Sequence, residues 1–221
     1  MWYNYFKQVG RITMKILLIS DTHGDISKVI EILDRVKGID MILHCGDYET
    51  DARILENCTD IPVISVTGNC DGGSDYRKTV ETPAGKLLIT HGHMEAVGFT
   101  QTLLTSAAEE EGGCIAVCFG HTHVPLCEDT GGLWLINPGS LTEPRKGSRP
   151  SCAVLRCEED GFYPVLVPYD TLVPSEPPKD PEDPKDPPRG DGGSDGEDPA
   201  AKKKKVKGGF LRGLLNYSDR F

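Results

Sequence analysis

Apolar and polar positions along the chain alternate in short blocks, and the blocks repeat in a recognisable order. Lys15 to Ser20 carries an unbroken apolar stretch that gives way to Asp21-Thr22-His23-Gly24-Asp25, the pattern of a buried strand ending in a polar loop. Ser27 to Lys37 then places Val29, Ile30, Ile32, Leu33 and Val36 at helical spacing, with Gly38 as the C-terminal stop. The unit recurs. Asp40 to His44 predicts a second buried strand leaving through Cys45-Gly46-Asp47, Thr50 to Asn57 a short helix, and Pro62 to Thr67 a third strand leaving through Gly68-Asn69-Cys70-Asp71.

The middle of the chain changes character. Lys78 to Thr82 and Lys86 to Thr90 read as a hairpin around Pro83-Ala84-Gly85, and its second strand leaves through His91-Gly92-His93. Phe99 to Glu111 predicts a helix closed by Gly112-Gly113, and the run Cys114 to Phe119 predicts a strand ending in Gly120-His121-Thr122-His123. Leu133 to Ile136, Cys152 to Cys157 and Tyr163 to Val167 read as strands of a second, more antiparallel sheet. The expected class is α/β, two sheets face to face with helices outside.

Composition sets the limits of this domain. A length of 221 residues, 38% of them hydrophobic, suits one core of ordinary size plus extra sequence. The domain is expected over residues 14–170. Met1 to Thr13, with Trp2, Tyr3, Tyr5 and Phe6, reads as an N-terminal extension. Residues 171–200 hold eight of the 16 prolines among Asp, Glu and Gly, a composition that cannot bury a core, so they read as a disordered linker. Residues 201–221 join a lysine run to a segment with Phe210, Leu214, Tyr217 and Phe221 on one helical face, a basic and weakly amphipathic tail suited to a membrane surface or a protein groove.

A net charge of -10 argues against a nucleic-acid-binding core. Eight cysteines without a preceding signal segment read as reduced, mostly buried thiols of a cytoplasmic protein. No apolar run reaches the roughly 20 residues of a membrane span.

All six histidines lie between positions 23 and 123, each at or beside the end of an apolar run. The strand-exit residues Asp21, His23, Asp47, Asn69, His91, His121 and His123 supply carboxylate, amide and imidazole donors, a set suited to Mn²⁺, Fe²⁺, Zn²⁺ or Ni²⁺ rather than Ca²⁺. In open α/β sheets such groups collect outside the carboxyl ends of the strands. Seven ligands exceed the need of one ion; with one bridging carboxylate they divide into two sets of about four, and two ions roughly 3.5–4 Å apart are expected. His44 reads as a core or supporting residue.

Asp21-x-His23, Gly46-Asp47, Gly68-Asn69-Cys70-Asp71, His91-Gly92-His93 and Gly120-His121-Thr122-His123 together resemble the motif series of the calcineurin-like metallophosphoesterases, in particular their small bacterial and archaeal phosphodiesterase branch; Ile136-Asn137-Pro138-Gly139-Ser140 also resembles a segment of that branch. The resemblance covers residues 14–170. It implies a four-layer α/β/β/α sandwich of two mixed sheets flanked by helices, two divalent transition-metal ions with manganese expected first, and hydrolysis of a small phosphodiester, with phosphomonoesters as alternative substrates, by a metal-bridging hydroxide. Carried over by motif, Asp21, His23, Asp47 and His123 hold one ion, and Asp47, Asn69, His91 and His121 the other.

One position departs from the wider superfamily, where a histidine follows Gly-Asn and helps protonate the leaving group; here it is Cys70, a poor general acid. His93 or water is then the expected proton source, so His93 and Asn69 are the catalytic candidates beside the metals. Arg145 and Arg149, with Lys146 between them, are candidate phosphate binders. Substrate choice is expected to rest on the loops Gly72 to Arg77 and Glu95 to Gln101. The competing reading is a non-catalytic metal-binding scaffold of the same fold, acting through protein contacts.

Overall fold

A computed structural model describes residues 13–174. The expected extension, linker and basic tail lie almost entirely outside these residues.

The first half follows the predicted strand–helix rhythm. β1 (Thr13–Ile19), β2 (Met41–His44) and β3 (Val63–Ser65) are parallel neighbours, linked by α1 (Ser27–Arg35) and α2 (Glu49–Cys58). α1 buries Val29 and Ile32 and ends two residues before the predicted Lys37, because Val36 is already extended while its N–H still caps the Ile32 carbonyl. β4 (Arg77–Thr82) and β5 (Gly85–Thr90) form the predicted hairpin, and α3 (Thr102–Glu111) precedes β6 (Cys114–Cys118). α3 starts three residues later than predicted: Phe99 is 97% exposed and belongs to the preceding turns.

The predicted second sheet needs correction. β7 (Leu126–Asp129), which the sequence pattern missed, and β8 (Trp134–Asn137) do join β4, β5 and β6, in the order β4-β5-β6-β8-β7. β9 (Ser151–Glu158) and β10 (Gly161–Pro168) return instead to the first sheet, ordered β10-β9-β1-β2-β3. The register explains why: β9 runs antiparallel to β1 with Leu155 opposite Ile16 and Cys157 opposite Met14, so apolar side chains of both strands fall on one face. The short α4 (Tyr169–Leu172) ends the described chain.

Strand alternation divides the apolar residues between layers. Met14, Ile16, Leu18, Met41, Leu43, Leu87, Ile89, Ala116, Cys118, Ile136 and Leu155 fill the space between the two sheets. Leu88, Val117 and Leu135 point the other way and pack under Leu104, Ala107 and Ala108 of α3. The result is the α/β/β/α sandwich. Both sheets keep parallel strands at their centres, and the carboxyl-end loops of those strands carry the polar motifs.

All eight cysteines are free, and Cys45, Cys118, Cys152 and Cys157 are buried. No described helix is long and apolar enough to cross a membrane.

Candidate metal centre

Strand exits bring the polar motifs to one place. The ligand atoms of Asp21, His23, Asp47 and His123 all lie within 4.8 Å of one another. Their backbone is unusual. Asp21, His23, Asp47, His121 and His123 all have φ between 48° and 66°, the left-handed region that side chains rarely enter. Such conformations persist only where surrounding structure enforces them.

That structure is a set of hydrogen bonds between loops. The Asp21 N–H donates to the Gly46 carbonyl at 3.1 Å, and Cys45 N–H to the Ile19 carbonyl at 2.9 Å, binding the β1 and β2 exits together. Ser140 Oγ donates to the Asp21 carbonyl at 2.9 Å, and Asn137 Nδ2 to the Gly120 carbonyl at 2.7 Å. Asp71 accepts from the N–H groups of Gly68 and Glu49 at 2.8 and 2.7 Å, fixing the β3 exit against the start of α2. Gly68 and Gly120 leave room for this: a Cβ on Gly68 would strike Asp47 Oδ1, and one on Gly120 would lie 2.6 Å from Asp21 Oδ2.

Imidazole orientation is set from behind. His123 Nδ1 lies 2.6 Å from the Glu143 carbonyl and His91 Nδ1 2.7 Å from the Cys45 carbonyl; a carbonyl only accepts, so each Nδ1 carries the proton. In the neutral rings both Nε2 lone pairs therefore face inward. His123 Nε2 meets Asp21 Oδ1 at 3.2 Å and His23 Nε2 at 3.2 Å. His91 Nε2 meets Asp47 Oδ1 at 3.3 Å and Asn69 Oδ1 at 3.1 Å. Asp21 Oδ1 is buried without a well-aimed hydrogen-bond donor. Acceptors converging on acceptors, with one carboxylate oxygen orphaned, fit a cation of the borderline class.

The charges respond to this crowding. Burial alone would raise Asp21, but the His123 contact and the nearby imidazoles hold its carboxyl below the ordinary range. Burial likewise works against protonating His123, yet the Asp21 carboxylate outweighs it and holds the imidazole above its usual value. Metal binding would take the place of that proton.

The remaining candidates sit around this cluster. The His121 ring packs edge-on against His91 at 5.2 Å, and His93 lies 5.3 Å from His91 and 6.3 Å from His121, measured between ring centres. His93 Nδ1 has no partner, and burial holds its pKa below the ordinary value. Cys70 Sγ is 3.3 Å from Asp47 Oδ2, and partial burial with that contact pushes the thiol up to about 11. Arg145 is exposed, but its N–H donates to the His123 carbonyl and its charge acts on His123. Arg149 instead pairs with Asp170 at 2.9 Å on the surface.

Two supporting residues had no role in the sequence reading. Thr22 Oγ1 donates to Asp51 Oδ2 at 2.6 Å, and that oxygen also accepts the Gly24 N–H at 2.9 Å. His44 accepts the Gly46 N–H at Nδ1, so its Nε2–H donates to Thr22 Oγ1 at 2.9 Å. This chain is almost fully buried and holds the Asp21–Gly24 loop between two elements. Burial keeps the His44 pKa low, so the ring stays a neutral connector.

Comparisons with known proteins identify the family. The family described as "Calcineurin-like phosphoesterase superfamily domain" matches residues 14–160. The probable metallophosphoesterase YsnB of Bacillus subtilis (strain 168) is 39% identical over 153 residues, spanning 66% of this chain and 86% of YsnB. Phosphodiesterase YfcE of Escherichia coli (strain K12) is 26% identical over 169 residues, covering 64% of this chain and 87% of its own. A crystal structure of a predicted phosphoesterase from Streptococcus pneumoniae TIGR4 superposes with a TM-score of 0.61 at 30% identity, covering 72% of this chain and 91% of that one. A family match over about two thirds of the chain, with a relative of 39% identity, places it: the chain belongs to the calcineurin-like phosphoesterase superfamily.

Proposed function

We propose that this protein hydrolyses a phosphodiester with the help of two divalent transition-metal ions, manganese first among them. The observation that carries the reading is the position of Asp47, whose two carboxylate oxygens face different groups of donors. Oδ2 lies 3.8 Å from His23 Nε2, on the side of Asp21 and His123, and Oδ1 lies 3.3 Å from His91 Nε2, on the side of Asn69. A carboxylate so placed is suited to bridge two cations, with Asp21, His23 and His123 holding one and Asn69, His91 and His121 the other.

Bound there, the cations would acidify water and take up charge on the phosphoryl oxygens. The protein's own groups do the rest. Asn69 is exposed at the rim, where its amide is placed to orient a phosphoryl oxygen. His93, whose ring centre lies 5.3 Å from that of His91 and 6.3 Å from that of His121, is the candidate proton donor to the leaving group. Arg145, beside His123, is the phosphate-binding candidate; Arg149, engaged by Asp170, is the weaker one. Every donor position of the motif series is filled, which supports hydrolysis over a scaffold role.

The test is metal analysis with Mn²⁺-stimulated hydrolysis of bis(p-nitrophenyl) phosphate by wild type and Asp47→Asn. Metal-dependent turnover that falls at least about a hundredfold in Asp47→Asn supports the reading. Turnover that survives both chelation and Asp47→Asn removes it.

A further inference from the structure

The loops after β3 and β5 meet beside the candidate centre and border an open cavity of about 410 Å³ lined by Ser74, Asp75, Tyr76, Arg77 and Met94. Its walls are held in place. Arg77 Nε donates to Glu95 Oε1 at 2.7 Å, and Glu95, fully buried, takes a second hydrogen bond from Thr90 Oγ1 at 2.9 Å. The Thr67 N–H donates to the Asp75 carbonyl at 2.9 Å, tying the other loop back to the β3 exit. Between these fixed walls two large apolar groups remain open to solvent, Met94 at 60% and Tyr76 at 37% exposure. Neither contributes to the core, so both are free to meet a bound group.

The neighbourhood says what kind. The Tyr76 ring packs edge-on against His93 at 5.5 Å, and His93 lies 5.3 Å from His91. The cavity therefore begins two ring spacings from a candidate metal ligand, within reach of a substituent esterified to a phosphate held at the centre. Its lining includes the Asp75 carboxylate, paired with Lys78 at 3.3 Å, and its one cation, Arg77, is paired with both Glu95 and Glu110, so no cation in the lining is left over for a second phosphate. Such a lining disfavours a second phosphate and suits an uncharged group with an aromatic face.

We propose that this cavity binds the retained substituent of the diester, a nucleoside that stacks on Tyr76 with Met94 against it. The assignment rests on the phosphodiesterase reading above. It is tested by comparing two esters with one leaving group, thymidine 5′-(p-nitrophenyl phosphate) and methyl p-nitrophenyl phosphate, on Mn²⁺-loaded wild type, Tyr76→Ala, Tyr76→Phe and Met94→Ala.

Losing one stacking partner should raise KM for the thymidine ester about tenfold in Tyr76→Ala while the methyl ester stays within about twofold, with Tyr76→Phe retaining wild-type values. Met94→Ala, which leaves the Tyr76–His93 contact untouched, should shift KM in the same direction. Calorimetry with thymidine 5′-phosphate and methyl phosphate gives a readout without turnover: wild type should prefer the nucleotide, and Tyr76→Ala should lose that preference. Equal changes on both esters, or none on either, overturn the subsite while leaving the diesterase reading intact. Wild type that hydrolyses neither ester removes both.

Discussion

His23 Nε2 and His123 Nε2 face each other at 3.2 Å, and the proton on His123 Nδ1 is spoken for by the Glu143 carbonyl. Two imidazole nitrogens at this distance need a proton or a cation between them and the adjacent Asp21 carboxylate. His123 is raised above its ordinary value in the metal-free protein, so it holds its proton further toward neutral pH than a free imidazole does. A cation must displace that proton. Affinity for Mn²⁺ should therefore fall as pH drops from about 8 to 6, approaching about tenfold per pH unit for one released proton. Calorimetric titration in buffers of different ionisation enthalpy measures the proton release directly. It should be reduced in His123→Asn, and an affinity flat across this range would contradict the assignment.

The closeness of the loops gives a second expectation. A Cβ on Gly120 would lie 2.6 Å from Asp21 Oδ2 and 2.9 Å from Ser20 Cβ, while Gly98 has nothing within 4 Å of the same position. Neither glycine has a positive φ, so space alone separates them. Gly120→Ala should cost about 1–3 kcal/mol of stability by overpacking and weaken Mn²⁺ binding by displacing Asp21. Gly98→Ala should change neither. Thermal unfolding with and without metal provides the comparison, and an unaltered Gly120→Ala protein would show that the loops can separate at little cost.

Much of this site could be read before the fold was known. Asp21, His23, Asp47, Asn69, His91, His121 and His123 stand at the ends of apolar runs, and strand periodicity places each at a strand's carboxyl end, the first four on one sheet and the last three on the other. Periodicity is local, however, and does not name a strand's partner. Cys152–Cys157 reads the same whether it closes the second sheet or returns to β1; the match of Leu155 with Ile16 decides it in three dimensions. The Thr22–Asp51 hydrogen bond spans 29 positions, and nothing near either residue announces the other. The left-handed backbone of five site residues is equally silent in the sequence, since it is imposed by bonds from other loops such as Ser140 to Asp21.

Asp51 should prove a positioning residue. Its Oδ2 accepts from both Thr22 Oγ1 and the Gly24 N–H, bracketing His23 between two held neighbours. Asp51→Asn keeps the shape but puts an uncharged amide oxygen where a carboxylate took two hydrogen bonds. The variant should lose about 2 kcal/mol of stability and bind Mn²⁺ about 10–100-fold more weakly, the usual effect of removing a group that orients ligands. A variant destabilised to this degree yet binding metal as tightly as wild type would confine Asp51 to a structural role.

Cys70 offers a test of the electrostatics without turnover. Partial burial, the hydrogen bond from Sγ to Asp47 Oδ2 and the charges of Asp47, Asp71 and Asp21 all oppose the thiolate, pushing the thiol from 9.0 up to about 11. Only the thiolate attacks an alkylating reagent. In metal-free protein at pH 8, iodoacetamide should therefore modify Cys70 on the order of 100-fold more slowly than an ordinary thiol, although the residue is exposed. Exposed Cys58 on α2 supplies the internal comparison. Asp47→Asn removes both the nearest negative charge and the charged acceptor, so Cys70 should react faster in that variant while Cys58 does not change. Peptide mapping after timed alkylation follows both sites at once. Equal rates at Cys58 and Cys70 in wild type would mean that the carboxylates do not act on the thiol, and with it that the metal-free centre is less negatively charged than its geometry requires.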